Sequence, residues 1–374
     1  ALLMSAGLFV KSLWNVSRVE LGVQIDNVAT FSVSPSRSGY DSTRSKVLYT
    51  RLEEELASLP GVTGVTSSMV PLLGGSNWGS DVQVQGFKED ADTDDNARFN
   101  EIGPGYFKTL GVPILAGREF TPADEKGRPE VVVVNETFAK KFGLGRDVVG
   151  KRMGWADTSN LHMEIVGLVK DSKYSGVKDE TPPLFFTPHR QDSNVGAMNF
   201  YVKTAGDPNL TLRGIPGAVR RLDAGLPVEN LRTMPQQVRE NVFMDRMIST
   251  LSASFALLAT LLAAIGLYGV IAYSVAQRTR EIGVRMALGA DSSQVRRMIL
   301  RQVGVMVLIG ALIGIGGAIA LGRGARSLLF ELSGTDPAVM VTSVIVLTLV
   351  AMGAGYIPAR RASKVDPMQA LRYE

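Results

Sequence analysis

The pattern of hydrophobic and polar positions changes at about residue 246: before it, apolar residues come in short bursts separated by polar turns, and after it in long uninterrupted runs. No charged residue occurs between Arg246 and Arg278, between Arg301 and Arg323, or between Asp336 and Arg360. At about 1.5 Å per residue, roughly 20 apolar residues cross a hydrocarbon layer of about 30 Å. Helices of a soluble core seldom run that far without a charge. The three runs therefore predict transmembrane helices over about 248–276, 303–322 and 337–358. A further apolar stretch, ALLMSAGLFV, is too short to span and stops at Lys11. It shows neither the basic start nor the small-residue cleavage site of a signal peptide, so residues 1–16 are expected to be the end of a first transmembrane helix.

Between these regions the periodicity is that of a soluble domain. Val28 to Val33 reads as a strand, Ser42 to Leu59 as a helix with Val47, Leu48, Leu52, Leu56 and Leu59 along one face, and Gly61 to Val70 as a strand. The pattern returns later as a strand at Asn199 to Lys203, a helix at Leu212 to Leu222 and a strand at Pro227 to Thr233. Two separated βαβ units predict a ferredoxin-like α+β lobe split by an insertion. The insertion, about 107–188, has strands at Glu130 to Val134 and Met163 to Val169, a short helix from Glu136 to Phe142, and Gly- and Pro-rich turns. It is expected to be a second, mostly β lobe. The expected architecture is a membrane α-helical bundle, three complete transmembrane helices plus a partial N-terminal one, with an α+β two-lobed extracytoplasmic domain over residues 17–245.

Charge adds orientation. The net charge of +4 divides into +7 from Arg246 onward and −3 before it. Residues 277–302 carry six arginines, and the tail carries Arg360, Arg361, Lys364 and Arg372. Basic loops beside membrane spans stay in the cytoplasm, so both segments are expected there and residues 17–245 outside. This arrangement explains the basic balance without nucleic acid, for which no basic face interleaved with aromatics exists.

Candidate chemistry is sparse. The chain has no Cys, which excludes disulfides and thiolate chemistry, and its two histidines, His162 and His189, lack ligand-like spacing or a nucleophile context. No metal, no cofactor and no enzymatic activity are expected. Gly145 to Lys151 matches GxxxxGK, but Arg152 stands where a phosphate loop needs Ser or Thr. The acidic run Glu89 to Asp95 lacks the Gly and spaced Glu of a calcium loop. No ionisable residue lies within the three spans, which disfavours a proton-coupled carrier. Gly310 and Gly314 form a GxxxG pair suited to helix packing, within the bundle or at a dimer seam.

The cytoplasmic loop reads QRTREIGVRMALGADSSQVRRMILRQ. Glu281 and Arg285 are an i, i+4 pair, Gly289 supplies a helix stop, and Asp291 with Gln294 resembles a capping box. Val295, Met298 and Ile299 share one side of the following helix, which predicts a short amphipathic helix at the membrane surface that turns into the next span. The run Glu281, Ile282, Gly283, Arg285, Ala287, Leu288, Gly289, Ala290 resembles the E-I-G-x-R-x-A-L-G-A signature of FtsX-like/MacB-like ABC transporter permeases. The tail, with Pro358, Arg360, Arg361, Asp366, Pro367, Ala370 and Leu371, is similar to that family's P-A-R-R-A-x-x-x-D-P-x-x-A-L-R-x-E ending.

The resemblance covers essentially the whole chain and implies a mechanotransmission permease of the bacterial cytoplasmic (inner) membrane. In it, Glu281 to Ala290 would dock on a separate cytoplasmic ABC ATPase subunit whose cycle moves the outer domain. It also implies a second permease half or a homodimer partner, contact with membrane lipid, and a periplasmic adaptor. The chain resembles the second half of a duplicated permease, or a sequence truncated in its first helix. The alternative is a membrane-anchored sensor that binds a ligand or activates a cell-wall hydrolase, although few residues follow the last span for a signalling output.

Overall fold

The computed structural model describes the chain except residues 88–92, 146, 157–159, 289, 325–329, 331, 333 and 364–374 and the side chain of Arg323. The chain forms two compact units, a helical one of residues 1–18 and 243–374 and a sheet unit of residues 19–242. In chain order the elements are α1 (Leu2–Val16), β1 (Val28–Val33), α2 (Ser42–Ala57), β2 (Val62–Ser68), β3 (Trp78–Val84), β4 (Asn96–Ile102), α3 (Tyr106–Leu110), β5 (Ile114–Gly117), β6 (Val131–Asn135), α4 (Glu136–Lys141), β7 (Arg152–Trp155), β8 (Met163–Val169) and β9 (Leu184–Pro188). Then come β10 (Met198–Thr204), α5 (Pro208–Leu222), β11 (Glu229–Thr233), α6 (Met234–Asn241), α7 (Phe243–Gln277), α8 (Thr279–Ala287), α9 (Ser292–Gly324) and α10 (Pro337–Ala362).

In the sheet unit the strand order is β11-β1-β10-β2-β4-β3-β7-β8-β6-β9, with β5 on β8. β1 pairs antiparallel with both β10 and β11, and β10 pairs antiparallel with β2. β1 and β2 are therefore parallel with β10 between them, and β10 and β11 parallel with β1 between them. These are two interleaved βαβ units whose crossovers are α2 and α5, the ferredoxin-like arrangement. Asp41 and Asp207 start the crossovers by accepting from the backbone N–H of Arg44 and Asn209. Leu52, Leu56, Ile215 and Val219 of the helices bury Phe31 and Phe200 of the strands.

A second core forms around Val132, Val134, Phe138, Phe142, Ile165 and Phe185. It also takes Val82, Val84 and Ala97 from β3 and β4, well ahead of residue 107. Only alternate positions of those strands are buried and half of them are polar, so no apolar run marks them. The two cores meet where β2 pairs with β4 through Ser68 and Ile102. Buried side chains brace that narrow joint. Asn100 accepts from Val70 N–H and donates to Val70 C=O, both at 2.9 Å, and the Tyr201 hydroxyl lies 3.0 Å from Ser68 Oγ while accepting from Leu72 N–H at 2.8 Å.

Both ends of the sheet unit fasten on one segment, residues 171–177. On the entry side Lys173 N–H donates to Leu21 C=O at 2.8 Å, and Gly22, at φ +71°, sits so close that a Cβ would lie 2.7 Å from Asp171 O. On the exit side Asn241 of α6 accepts from Val177 N–H at 3.1 Å and donates to Ser175 C=O at 3.4 Å and Leu73 C=O at 3.3 Å.

In the helical unit α7, α9 and α10 are each long and apolar enough to cross a membrane. α9 runs unbroken from Ser292, which corrects the expectation of a separate surface helix turning into the span. No Pro or Gly interrupts its first turns, and Val295, Ile299 and Val303, at i, i+4 and i+8, continue one buried stripe into the span. Gly355 meets Val303 and Gly7 of α1 meets Val339, since a Cβ would stand 2.7 and 2.8 Å from those side chains. Lys11 Nζ pairs with Asp336 Oδ2 at 2.6 Å, and Asp336 caps α10 by accepting from Val339 N–H at 3.0 Å. Leu258, Leu262 and Ile265 of α7 are among many exposed apolar side chains here, as expected of a surface that lipid covers.

Substituting Gly22→Ala should lower the stability of the chain by about 1–3 kcal/mol, because an L side chain at positive φ is strained and this one also strikes Asp171. Replacing Asn100 by Ala should cost about 1–3 kcal/mol by orphaning the buried backbone N–H of Val70, whose C=O keeps the Ser68 Oγ donor. Denaturant unfolding of the detergent-solubilised chain, followed by the fluorescence of Trp78 and Trp155 of the sheet unit in a Trp14→Phe background, measures both.

Candidate functional site

The loop singled out from sequence folds as α8, a nine-residue helix between two membrane-length helices. A tight turn joins it to α7, with Thr279 Oγ1 donating to the carbonyls of Val275 at 3.0 Å and Ala276 at 2.9 Å. Its inner face is anchored: Ile282 is 3% exposed, packed with Ile271 of α7, Val295, Ile299 and Val303 of α9, and Ala359 and Ala362 of α10. Gly283 beside it is also buried, and Met286 is half-buried against the same cluster.

The outer face is presented. Glu281, Arg285, Ala287 and Leu288 are exposed, Leu288 to 83%. Arg285 Nη2 pairs with Glu281 Oε1 at 2.5 Å, and its Nη1 donates to Met298 Sδ of α9 at 3.1 Å. The pair is thus held in place rather than left to wander, although a solvated pair of this kind adds little stability. Ala290 N–H donates to Arg285 C=O at 3.0 Å, closing the C-terminal turn. Gly289 lies outside the described residues. A large apolar side chain held out at the end of a fixed helix is an arrangement suited to insertion into a partner's pocket.

Of the tail residues, Arg361 donates to the Tyr268 hydroxyl of α7 at 3.1 Å and Arg360 is exposed, whereas Asp366, Pro367, Ala370 and Leu371 lie outside the described residues. Sequence reasoning picked out the arginines of this motif and missed Ala359 and Ala362, which pack with Ile282; their i, i+3 spacing around Arg360 and Arg361 was the available signal. Gly310 has no neighbour among the described residues within 4 Å of where a Cβ would lie, and Gly314 has only Ala1 N, at 3.5 Å. Both line an apolar cavity of about 250 Å³ among α1, α7, α9 and α10.

The other sequence candidates resolve into structural roles. Lys151 of the GxxxxGK segment donates to Leu144 C=O at 3.1 Å, and a strand, β7, follows where a phosphate loop needs a helix. Of the acidic run Glu89 to Asp95 only residues 93–95 are described, and Asp94 pairs with Lys141 at 2.8 Å. His162 faces Glu130 at 3.2 Å, and His189, fully buried, has Nε2 3.7 Å from Glu53 Oε1. Near it, burial and the neighbouring Asp192 push the Glu101 carboxyl up to about 8.

Two families match the chain: the MacB-like periplasmic core domain over residues 1–211 and the FtsX-like permease C-terminal domain over residues 253–367. The chain belongs to the MacB-like, FtsX-like family of ABC transporter permeases. Such permeases are transporters rather than enzymes. Among curated relatives, the chain is 26% identical over 89% of its length to a probable syringafactin export ATP-binding/permease protein of Pseudomonas syringae pv. tomato, covering 49% of that protein. It is 25% identical to a probable export ATP-binding/permease protein MacB of Pseudomonas entomophila, over 90% of this chain and 50% of that one. With the Bacillus subtilis ABC transporter permease YknZ it shares 25% identity over 86% of this chain and 79% of that one. The chain spans about half the length of the ATP-binding/permease relatives. Among solved structures, the periplasmic region of MacB from Actinobacillus actinomycetemcomitans aligns with 59% of this chain and 94% of that one, at 16% identity and a TM-score of 0.38.

In this MacB-like permease, Ile282→Ala should lower stability by about 2–5 kcal/mol through the cavity it leaves. Leu288→Ala, at an exposed position, should change stability by less than about 0.5 kcal/mol. Thermal unfolding of the two variants side by side measures the contrast. Because the folded protein holds the Glu101 proton more tightly than the unfolded chain does, stability should fall as pH rises from about 4.5 to about 8, by at most ~1.4 kcal/mol per pH unit. Glu101→Gln should flatten that slope in urea unfolding measured across the same range.

Proposed function

We propose that this chain is the permease subunit of an ABC export system of the mechanotransmission type, lying in the bacterial inner membrane with α8 and the tail in the cytoplasm and the sheet unit outside. The observation that carries the reading is the division of α8 into a buried face, Ile282, that grips α7, α9 and α10, and an exposed face, Glu281, Arg285 and Leu288. A separate ATP-hydrolysing subunit that seats on the exposed face displaces the helices through the buried one. The exporting relatives favour this reading over a membrane-anchored sensor.

The sheet unit is built to receive such a displacement. Its entry segment at Leu21 and Gly22 and its exit helix α6 both fasten on residues 171–177, so relative movement of α1 and α7 would pull on a single segment of the second core. The narrow β2–β4 joint between the cores is where that pull would be taken up.

Glu281→Ala with Leu288→Ala should abolish co-purification of the ATPase subunit and the ATP hydrolysis it shows in the complex, while leaving the permease folded; unchanged binding and turnover would remove the docking role of α8. Because the chain has no Cys, sidedness can be read with single cysteines. Ser193→Cys should label from outside intact cells and Ser292→Cys should not, and the reverse pattern would invert the proposed topology.

A further inference from the structure

The first turns of α9 have a second face. Beside the buried stripe of Val295, Ile299 and Val303, half-buried Arg296 and Leu300 and exposed Arg297 and Arg301 line a groove completed by Met352 and Tyr356 of α10, with a volume of about 450 Å³. The spacing makes it a built surface: 297 and 301, and 352 and 356, are i, i+4 pairs on facing helices. Among the described residues, neither the Lys11–Asp336 nor the Arg285–Glu281 ion pair of the helical unit uses these three arginines. The groove therefore concentrates three positive charges, with no ion pair among the described residues, above a floor formed by Leu300 and Met352.

Its level along the helices identifies what it faces. The uncharged run of α9 begins directly after Arg301, and that of α10 ends at Arg360, one turn beyond Tyr356. The groove thus lies where hydrocarbon gives way to headgroups, with a tyrosine at the depth that interfacial aromatics favour. Guanidinium forks bind phosphate oxygens in pairs, and basic pockets between helices on the cytoplasmic side suit anionic headgroups. We infer that this groove is a binding site for an anionic phospholipid of the inner leaflet: Arg296, Arg297 and Arg301 hold the headgroup phosphate and an acyl chain lies along Leu300 and Met352. A free phosphate would use the arginines but not the floor. The ATPase subunit has a separate exposed face on α8. The inner-leaflet source rests on the proposed topology, whereas the lipid binding does not.

The test is native mass spectrometry of the full chain in neutral detergent, titrated with phosphatidylglycerol or with phosphatidylcholine of the same acyl chains. The native protein should retain the anionic lipid at least tenfold better. Arg296→Gln/Arg297→Gln/Arg301→Gln should lose that preference, and Arg278→Gln/Arg280→Gln should keep it. If the triple variant fails to fold, Arg297→Gln/Arg301→Gln, both exposed, should still lower the preference severalfold. Millimolar inorganic phosphate should leave the lipid bound. Equal retention of both lipids, a preference that survives the arginine substitutions, or displacement by phosphate would each overturn the site. So would arginine variants that release the ATPase subunit while keeping the lipid. Labelling of Ser292→Cys from outside would overturn the inner-leaflet source alone.

Discussion

The helical unit depends on the burial of Ile282 among Ile271, Val295, Ile299, Val303, Ala359 and Ala362. Within a bilayer, apolar helices gain nothing by hiding from lipid, so their association falls to shape fit and to a few polar contacts. Glycine supplies the fit where Gly355 meets Val303 and Gly7 meets Val339, and the Lys11–Asp336 pair ties α1 to the start of α10. The cluster around Ile282 is different, because it forms at the end of the helices where water returns and the hydrophobic effect acts again. One side chain of α8 is thereby buried in a cluster drawn from three membrane-length helices.

The sheet unit meets a corresponding demand at its own end. Its entry and exit both fasten on residues 171–177, through Leu21, Gly22 and Asn241. Backbone pairing between the cores is thinnest at Ser68 and Ile102, where Asn100 and Tyr201 keep the buried polar groups satisfied. The joint is narrow in backbone pairing, and its residues Ser68, Asn100 and Ile102 are closed to water.

Much of this was legible in the sequence because its signals are strong. Uncharged runs of membrane length, the helix face of Leu48, Leu52 and Leu56, and the strand at Val28 to Val33 each follow from a periodicity that no tertiary contact overrode, whereas Val47, read on the same helix face, is exposed. The α8 residues came from their resemblance to a family signature. What stayed hidden was relational. β3 and β4 bury only alternate positions among polar neighbours, so the second core's early start left no apolar run. Asn100, Tyr201 and Asn241 are ordinary polar residues until folding places them over particular backbone groups. Close helix packing is made at Gly7 and Gly355, which stand in no GxxxG pattern.

The central claim is that a partner acting on α8 moves the sheet unit. Double electron–electron resonance between spin labels at Val284 of α8 and Ser193 of the sheet unit, both exposed, measures this in the complex with the ATPase subunit. The account expects the distance distribution to shift when ATP is trapped, and the shift to vanish when Leu288→Asp uncouples the partner. An identical distribution in the nucleotide-free and ATP-trapped complexes would contradict it.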